Sequence, residues 1–232
     1  MAEPPDINDT FLREVDENLR RDQMRDFFKR NGAYVIAAVV LFLAASGGFI
    51  WWNHYKLQQR EGDVEQLAQI YRDVGAGNLA KAPQQLDTLA QEGNSSAVRA
   101  SALFARAAVA IQQNDLKLAT QKYREIANDG DVPEPYRNAA LIRQTALEFD
   151  QLQPQEVISR MAPLAKPGEP WFGSAGEMTA LALLKQDKKD EAARLFLEIA
   201  KDKAGSPSLR SRALQIAGSL GADISGVQIE AQ

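Results

Sequence analysis

Ala33 to Trp52, AYVIAAVVLFLAASGGFIWW, is a run of 20 residues without an Asp, Glu, Lys, Arg or His. At about 1.5 Å of rise per residue, a helix of that length covers about 30 Å, the hydrocarbon thickness of a bilayer. A helix buried at a protein core carries a polar stripe, and this run has none. Tyr34 near one end and Trp51, Trp52 and Tyr55 at the other stand where interfacial aromatic residues anchor a span. A cleaved signal has a short basic start, a shorter apolar stretch and a small-residue cleavage site. Here 32 residues precede the run and it ends in bulky Trp51-Trp52. The expectation is an uncleaved transmembrane helix over residues 33–52.

Orientation follows from the basic residues near each end. Arg13, Arg20, Arg21, Arg25, Lys29 and Arg30 lie in the 20 residues before the run, against Lys56, Arg60 and Arg72 in the 20 after it. Six against three places residues 1–32 in the cytoplasm, with everything after residue 52 on the far side. Within residues 10–30, Leu12, Val15 and Leu19 fall on one face of a short amphipathic helix suited to the membrane surface.

The chain has no cysteine, which removes disulfides, Cys-containing zinc sites and a lipidated cysteine. Its only histidine, His54, stands just beyond the apolar run, so a His-containing catalytic triad or a His-built zinc site has nothing to draw on further along the chain. No phosphate loop or dinucleotide fingerprint occurs, since Gly75-x-Gly77 is too short for either. No Glu is followed by Ser, the pair found in helical lytic transglycosylases. The formal charge of −4 lacks the basic excess of a nucleic-acid binder. The expectation is a non-enzymatic protein that needs no cofactor or metal and binds no nucleic acid.

Residues 53–232 carry a repeat. Ala82-Leu86-Leu89-Ala90, Ala119-Tyr123-Ile126-Ala127, Val157-Met161-Leu164-Ala165 and Ala192-Phe196-Ile199-Ala200 share one spacing, and their last alanines are 37, 38 and 35 residues apart. Offsets of four, seven and eight lie on one helical face. Twelve residues before the first member of each set stand Ile70, Ala107, Thr145 and Ala180. Small residues on two helices let the backbones approach, and the large residue fills the gap between pairs. The pattern resembles the tetratricopeptide helix-turn-helix, although its period is longer than 34 and Val157 and Ile70 replace small residues.

Turn signals at 75–78 and 113–115 divide units internally, and those at 130–133 and 166–168 separate units. Gly62 reads as a hinge, and Leu57, Val64, Leu67, Tyr71 and Val74 as a near-heptad seam. Ser206-Pro207 reads as the N-cap and first residue of a last helix, closed by Gly221.

The expected fold is therefore all-α: a single N-terminal transmembrane helix followed by a tetratricopeptide-like α-solenoid of helical hairpins. The segments are 1–32, cytoplasmic; 33–52, the span; 53–75, a membrane-proximal helix that supplies the first repeat helix; 76–221, the repeat domain; and 222–232, a flexible tail.

One family matches this layout. Residues 14–32, EVDENLRRDQMRDFFKRNG, lead into the span, and WWNHYKLQQREG, residues 51–62, leaves it. A charged helix with a Phe-Phe pair (Phe27-Phe28), an Asn-Gly (Asn31-Gly32), one span with an aromatic exit and a helical-repeat domain together resemble the tetratricopeptide-like ancillary subunit of the bacterial Sec translocon. The resemblance implies a single-pass inner-membrane protein facing the periplasm. Its partners would be the Sec channel subunits and a membrane-anchored periplasmic chaperone of the prolyl-isomerase type, and it would help exported chains reach folding factors. A periplasmic scaffold for envelope assembly or cell division, with the same architecture and other partners, is the alternative.

Two surfaces are candidate contact sites beyond the bilayer itself. Ala37, Ala44 and Gly48 are spaced by seven and four, so they share one face, and Ala44-x-x-x-Gly48 has the spacing of close helix packing in membranes. In tetratricopeptide repeats the first helix of each pair lines a concave groove. Counting back from Ala119 and Val157 puts Phe104, Ile111, Ile142 and Phe149 on that side, either open to a partner or packed as core.

Overall fold

The computed structural model describes residues 7–227, with the side chains of residues 7–28, 30, 31, 35, 36, 38, 39 and 60 outside the description. Among the described residues there are nine α-helices and no strand: α1 (Ile7–Gly75), α2 (Ala82–Glu92), α3 (Ser96–Gln112), α4 (Leu116–Asn128), α5 (Glu134–Glu148), α6 (Pro154–Met161), α7 (Phe172–Lys185), α8 (Lys189–Lys201) and α9 (Pro207–Ser219). The chain divides into two compact units, Met1–Gln58 and Gln59–Gln232.

In the first unit, Val40, Leu41, Phe42 and Leu43 are exposed by 58, 70, 71 and 62%. Among the described residues no helix is long and apolar enough to cross a membrane. Within the expected span, the side chains of Val35, Ile36, Ala38 and Val39 lie outside the described residues, as do those of Leu12, Val15, Leu19, Phe27, Phe28 and Asn31 before it. Beyond the run, the Trp51 and Tyr55 rings stack at 6.1 Å and Lys56 Nζ sits 5.2 Å from the Trp52 ring centroid. Such contacts follow from the i, i+4 spacing of both pairs.

The second unit is built of helical pairs. The last turns of α1 pack through Leu67 and Ile70 against Leu86, Leu89, Val98 and Ala102. The pairs α3/α4 and α7/α8 pack closely, whereas α5 and α6 touch sparingly and α6 packs mainly on α7. The first two members of each set take the role their spacing gives them, whereas Ala90, Ala127 and Ala165 are half-buried and Leu164 and Ala165 lie beyond the end of α6. Leu86, Tyr123, Met161 and Phe196 are each at most 3% exposed, and Ala82, Ala119, Val157 and Ala192 at most 1%. Ile70, Ala107, Thr145 and Ala180, twelve residues earlier, are buried as well. Thr145 satisfies its hydroxyl on the Leu141 carbonyl at 2.8 Å, which makes a polar residue tolerable there.

The turns keep the same register. Five residues before Ala82, Ala119 and Ala192 stand Gly77, Asn114 and Asp187, at φ values of 83, 60 and 60°. Left-handed backbone follows the first helix of a pair and helps reverse the chain, within three residues at 113–115 and 186–188 and within six at 76–81. Gly, Asn and Asp are the residues that adopt it at least cost. In the α5–α6 pair the matching residue is Leu152, which does not have a positive φ.

Side chains cap α3, α4 and α9. Ser95 accepts from Val98 N at 3.2 Å, Asp115 from Leu118 N at 3.0 Å, and Ser206 from Leu209 N at 3.4 Å. Proline stands in the first turn of α2, α5, α6 and α9, where a missing N–H costs nothing. α9 lies on α8 and seals the last cluster through Ala213 and Ala217, beside Phe172, Phe196 and Ile199.

Three expectations need correction. Helix α1 continues through Gly62, because one glycine weakens a helix without ending it. Leu57, Val64, Leu67, Tyr71 and Val74 do not form a single seam. Leu67 and Val74 join the core while Leu57, Val64 and Tyr71 are about half exposed. The segment 222–232 is not wholly a loose tail: Ala222 N donates to the Ala217 carbonyl at 3.0 Å, and Ile224 closes on Gly218. Apolar Ala222, Ile224 and Val227 supply the reason, and residues 228–232 lie outside the described residues.

Candidate functional site

Counting back from the repeat alanine of each second helix, positions 18, 15, 11 and 8 earlier fall at i, i+3, i+7 and i+10 on the first helix. Those spacings mark one helical face. On α1 the face holds Val64, Leu67, Tyr71 and Val74; on α3, Ser101, Phe104, Ala108 and Ile111; on α5, Ala139, Ile142 and Ala146, with Phe149 at its C-cap; on α7, Ser174, Glu177, Leu181 and Leu184. Val64, Tyr71, Ile111 and Leu181 keep 55, 49, 39 and 37% exposure, so an apolar ligand would find uncovered side chains on three of the four first helices.

The four residues singled out from the sequence divide. Phe104 is half-buried, with the Tyr123 ring at 5.6 Å and the Tyr136 ring at 6.4 Å. Ile142 and Phe149 are half-buried against the cluster of Val157, Met161 and Met178. Lys185 Nζ stands 4.4 Å from the Phe149 ring centroid while donating to Asp150 at 2.9 Å. Ile111 alone of the four is exposed. Val64, Tyr71 and Leu181 were missed, although the same counting from Ala82 and Ala192 would have found them.

Polar groups frame this face. The Tyr71 hydroxyl reaches the Ser101 carbonyl at 3.5 Å, and burial, then the nearby Tyr136, pushes its ionisation upward. At the far end Arg212 of α9 grips Glu177 through two hydrogen bonds of 2.8 Å. The Glu177 carboxylate in turn raises the Arg212 guanidinium above its usual range. α9 therefore packs on α8 and fastens to α7.

The array of paired helices, with its buried small residues and left-handed turns in register, has a family counterpart. A family model described as a tetratricopeptide repeat-like domain matches residues 25–216. The chain belongs to the tetratricopeptide repeat-like family. Neither the curated proteins nor the solved structures give a match. Tetratricopeptide-like repeats present helical faces to other proteins, so protein–protein interaction is the role this domain carries.

In the first unit, Tyr34, Trp51, Trp52 and Tyr55 are exposed by 77, 68, 55 and 48%. Ala37, Ala44 and Gly48 are exposed too, and a Cβ built on Gly48 would meet nothing within 4 Å. Among the described residues no cluster of His, Cys, Asp and Glu has the geometry to hold a metal ion.

Proposed function

We propose that the protein is a single-pass inner-membrane adaptor of the bacterial Sec translocon, its tetratricopeptide-like domain in the periplasm. There it links exported chains to a membrane-anchored chaperone of the prolyl-isomerase type without catalysing a reaction. The observation that carries the anchor is the exposure of four consecutive apolar residues, Val40 to Leu43, each at least 58% open. Successive helical residues point about 100° apart, so four in a row cover the whole circumference. Water does not tolerate a helix apolar all round, and a bilayer covers it completely. The Trp51–Tyr55 stack and Lys56 beside Trp52 suit the headgroup level at the end of that run.

The Sec channel as partner rests on the resemblance of residues 14–62 to the translocon's ancillary subunit, with the half-exposed apolar face of α1, α3 and α7 as the surface offered to chaperone or client. A photo-crosslinker at Gly48, activated in intact membranes, should recover Sec channel subunits. A reporter active only in the periplasm, fused after Gln232, should be active. Recovery of envelope-assembly or division proteins alone would replace the translocon assignment, and a silent periplasmic reporter would overturn the orientation.

A further inference from the structure

A second surface lies away from the apolar face just described. The exposed side of α4 and the C-terminal end of α5 enclose a cleft of about 730 Å³, lined by Leu116, Lys117, Thr120, Arg124, Leu147 and Glu148, among others. The volume is that of a site for a small ligand or a few peptide residues. On α4 the lining residues recur at i, i+4 and i+8, while Ala119, Tyr123 and Ile126 of the same helix turn inward. The cleft is thus on a different side of α4 from its repeat core.

Its chemistry is asymmetric. Leu116 is 46% exposed, an uncovered apolar floor beside half-buried Leu147. The one acid of the wall, Glu148, is already committed, taking Arg160 at 2.6 Å, Arg124 at 2.7 Å and Gln144 at 3.0 Å. Arg124 spends one nitrogen on that bond and is otherwise exposed. Lys117 is exposed and enters no ion pair among the described residues. The Arg124 and Arg160 charges are balanced by Glu148 and Glu156, so the cleft offers one uncompensated cation, Lys117, and the spare donors of Arg124 above an apolar floor.

We propose that this cleft is a second docking site, one that takes an acidic polypeptide segment in which Asp or Glu alternates with large apolar residues. The apolar side chains of the segment rest on Leu116 and Leu147, and its carboxylates meet Lys117 and the free donors of Arg124. A basic or neutral segment meets the same floor and leaves Lys117 uncompensated. The site shares no lining residue with the apolar face on α1, α3 and α7.

The test is a titration of full-length protein in non-ionic detergent with a fluorescein-labelled peptide alternating Asp and Glu with Leu and Phe, read by anisotropy. The peptide should bind saturably, and added salt should weaken it. Lys117→Glu should raise the Kd by about tenfold and Leu116→Ser by a similar factor, with the melting temperature unchanged because both positions are exposed. Tyr71→Ser, on the other surface, should leave the Kd where it was. Absence of saturable binding, an unchanged Kd in Lys117→Glu, or equal binding of a peptide with Lys in place of its acids would overturn the proposal. Loss of binding in Tyr71→Ser would overturn it too, by moving the peptide to the other face.

Discussion

Arg160 Nη1 stands 2.6 Å from Glu148 Oε2, tying α6 to the end of α5. Few other contacts join these two helices, so this ion pair carries weight that a surface pair does not. Glu148 is 13% exposed and Arg160 25%. Burial alone would raise the Glu148 carboxyl. Hydrogen bonds from Arg160 and Gln144 and the charges of Arg160 and Arg124 outweigh it and hold the carboxyl below its ordinary value of 4.5.

A carboxyl lowered in the folded state adds stability that is present above its unfolded value and fades as pH falls through the folded one. Stability of the wild-type protein should thus decline below about pH 4.5 partly through Glu148. In Glu148→Gln that part of the acid slope should be missing, with a loss of about 1–3 kcal/mol already at pH 7. Urea unfolding at pH 7 and at pH 4 measures both. An acid slope identical in the two proteins would show that Glu148 contributes nothing to it.

The left-handed turns give a graded set of substitutions. Gly77→Ala should cost about 1–2 kcal/mol, because a Cβ at φ 83° strains the backbone although nothing stands within 4 Å to clash with it. Asn114→Gly should stay within about 0.5 kcal/mol, since relief of strain and added freedom of the unfolded chain oppose each other. Thermal unfolding of both variants decides, and a Gly77→Ala protein as stable as the parent would contradict the assigned backbone.

Gly93 is demanding for another reason. A Cβ there would lie 2.6 Å from the Leu89 carbonyl oxygen, a backbone atom that cannot move aside, and the Gly93 N–H donates to that same oxygen. Gly93→Ala should lower stability by about 1–3 kcal/mol, as overpacking does, and loosen the α2–α3 junction. Calorimetry on the repeat domain in the full chain would record it as a lower melting temperature.

Phe149 and Ile111 occupy the same repeat position but different environments. Phe149→Ala should cost about 2 kcal/mol, below the 3–5 typical of a fully buried ring, because the side chain is half-buried. Ile111→Ser, at 39% exposure, should leave stability almost untouched and weaken crosslinking of partners to the apolar face. Equal melting temperatures for the two variants would put Phe149 at the surface with Ile111.

Much of the repeat domain was legible because its rule is local. Two alanines and two large residues on one helical face suffice to call a pair, and Ala119, Tyr123 and Ile126 obey it as Ala192, Phe196 and Ile199 do. The capped start at Ser206 was equally readable. The exposure of Tyr71 against the burial of Leu67 was not, since both are apolar members of one helix. Which of them meets α2 and α3 depends on how that helix is rotated in the assembled array. The cleft beside Leu116 was invisible for the same reason: spacing fixes the side of α4 that faces inward but not the distance to the end of α5.

The turn at Leu152 also bears on the order of assembly. Three of the four pairs have a left-handed reversal built into the chain at Gly77, Asn114 or Asp187, and in α3–α4 and α7–α8 it closes a loop of three residues at small entropic cost. The α5–α6 pair has no such start, and its helices gain little by meeting each other before α7 is in place. That pair becomes the last to close and the first to breathe. Amide hydrogens of α6 should exchange with solvent faster than those of α4 or α8, making the middle of the array a seam along which its two halves can part and rejoin without either unravelling.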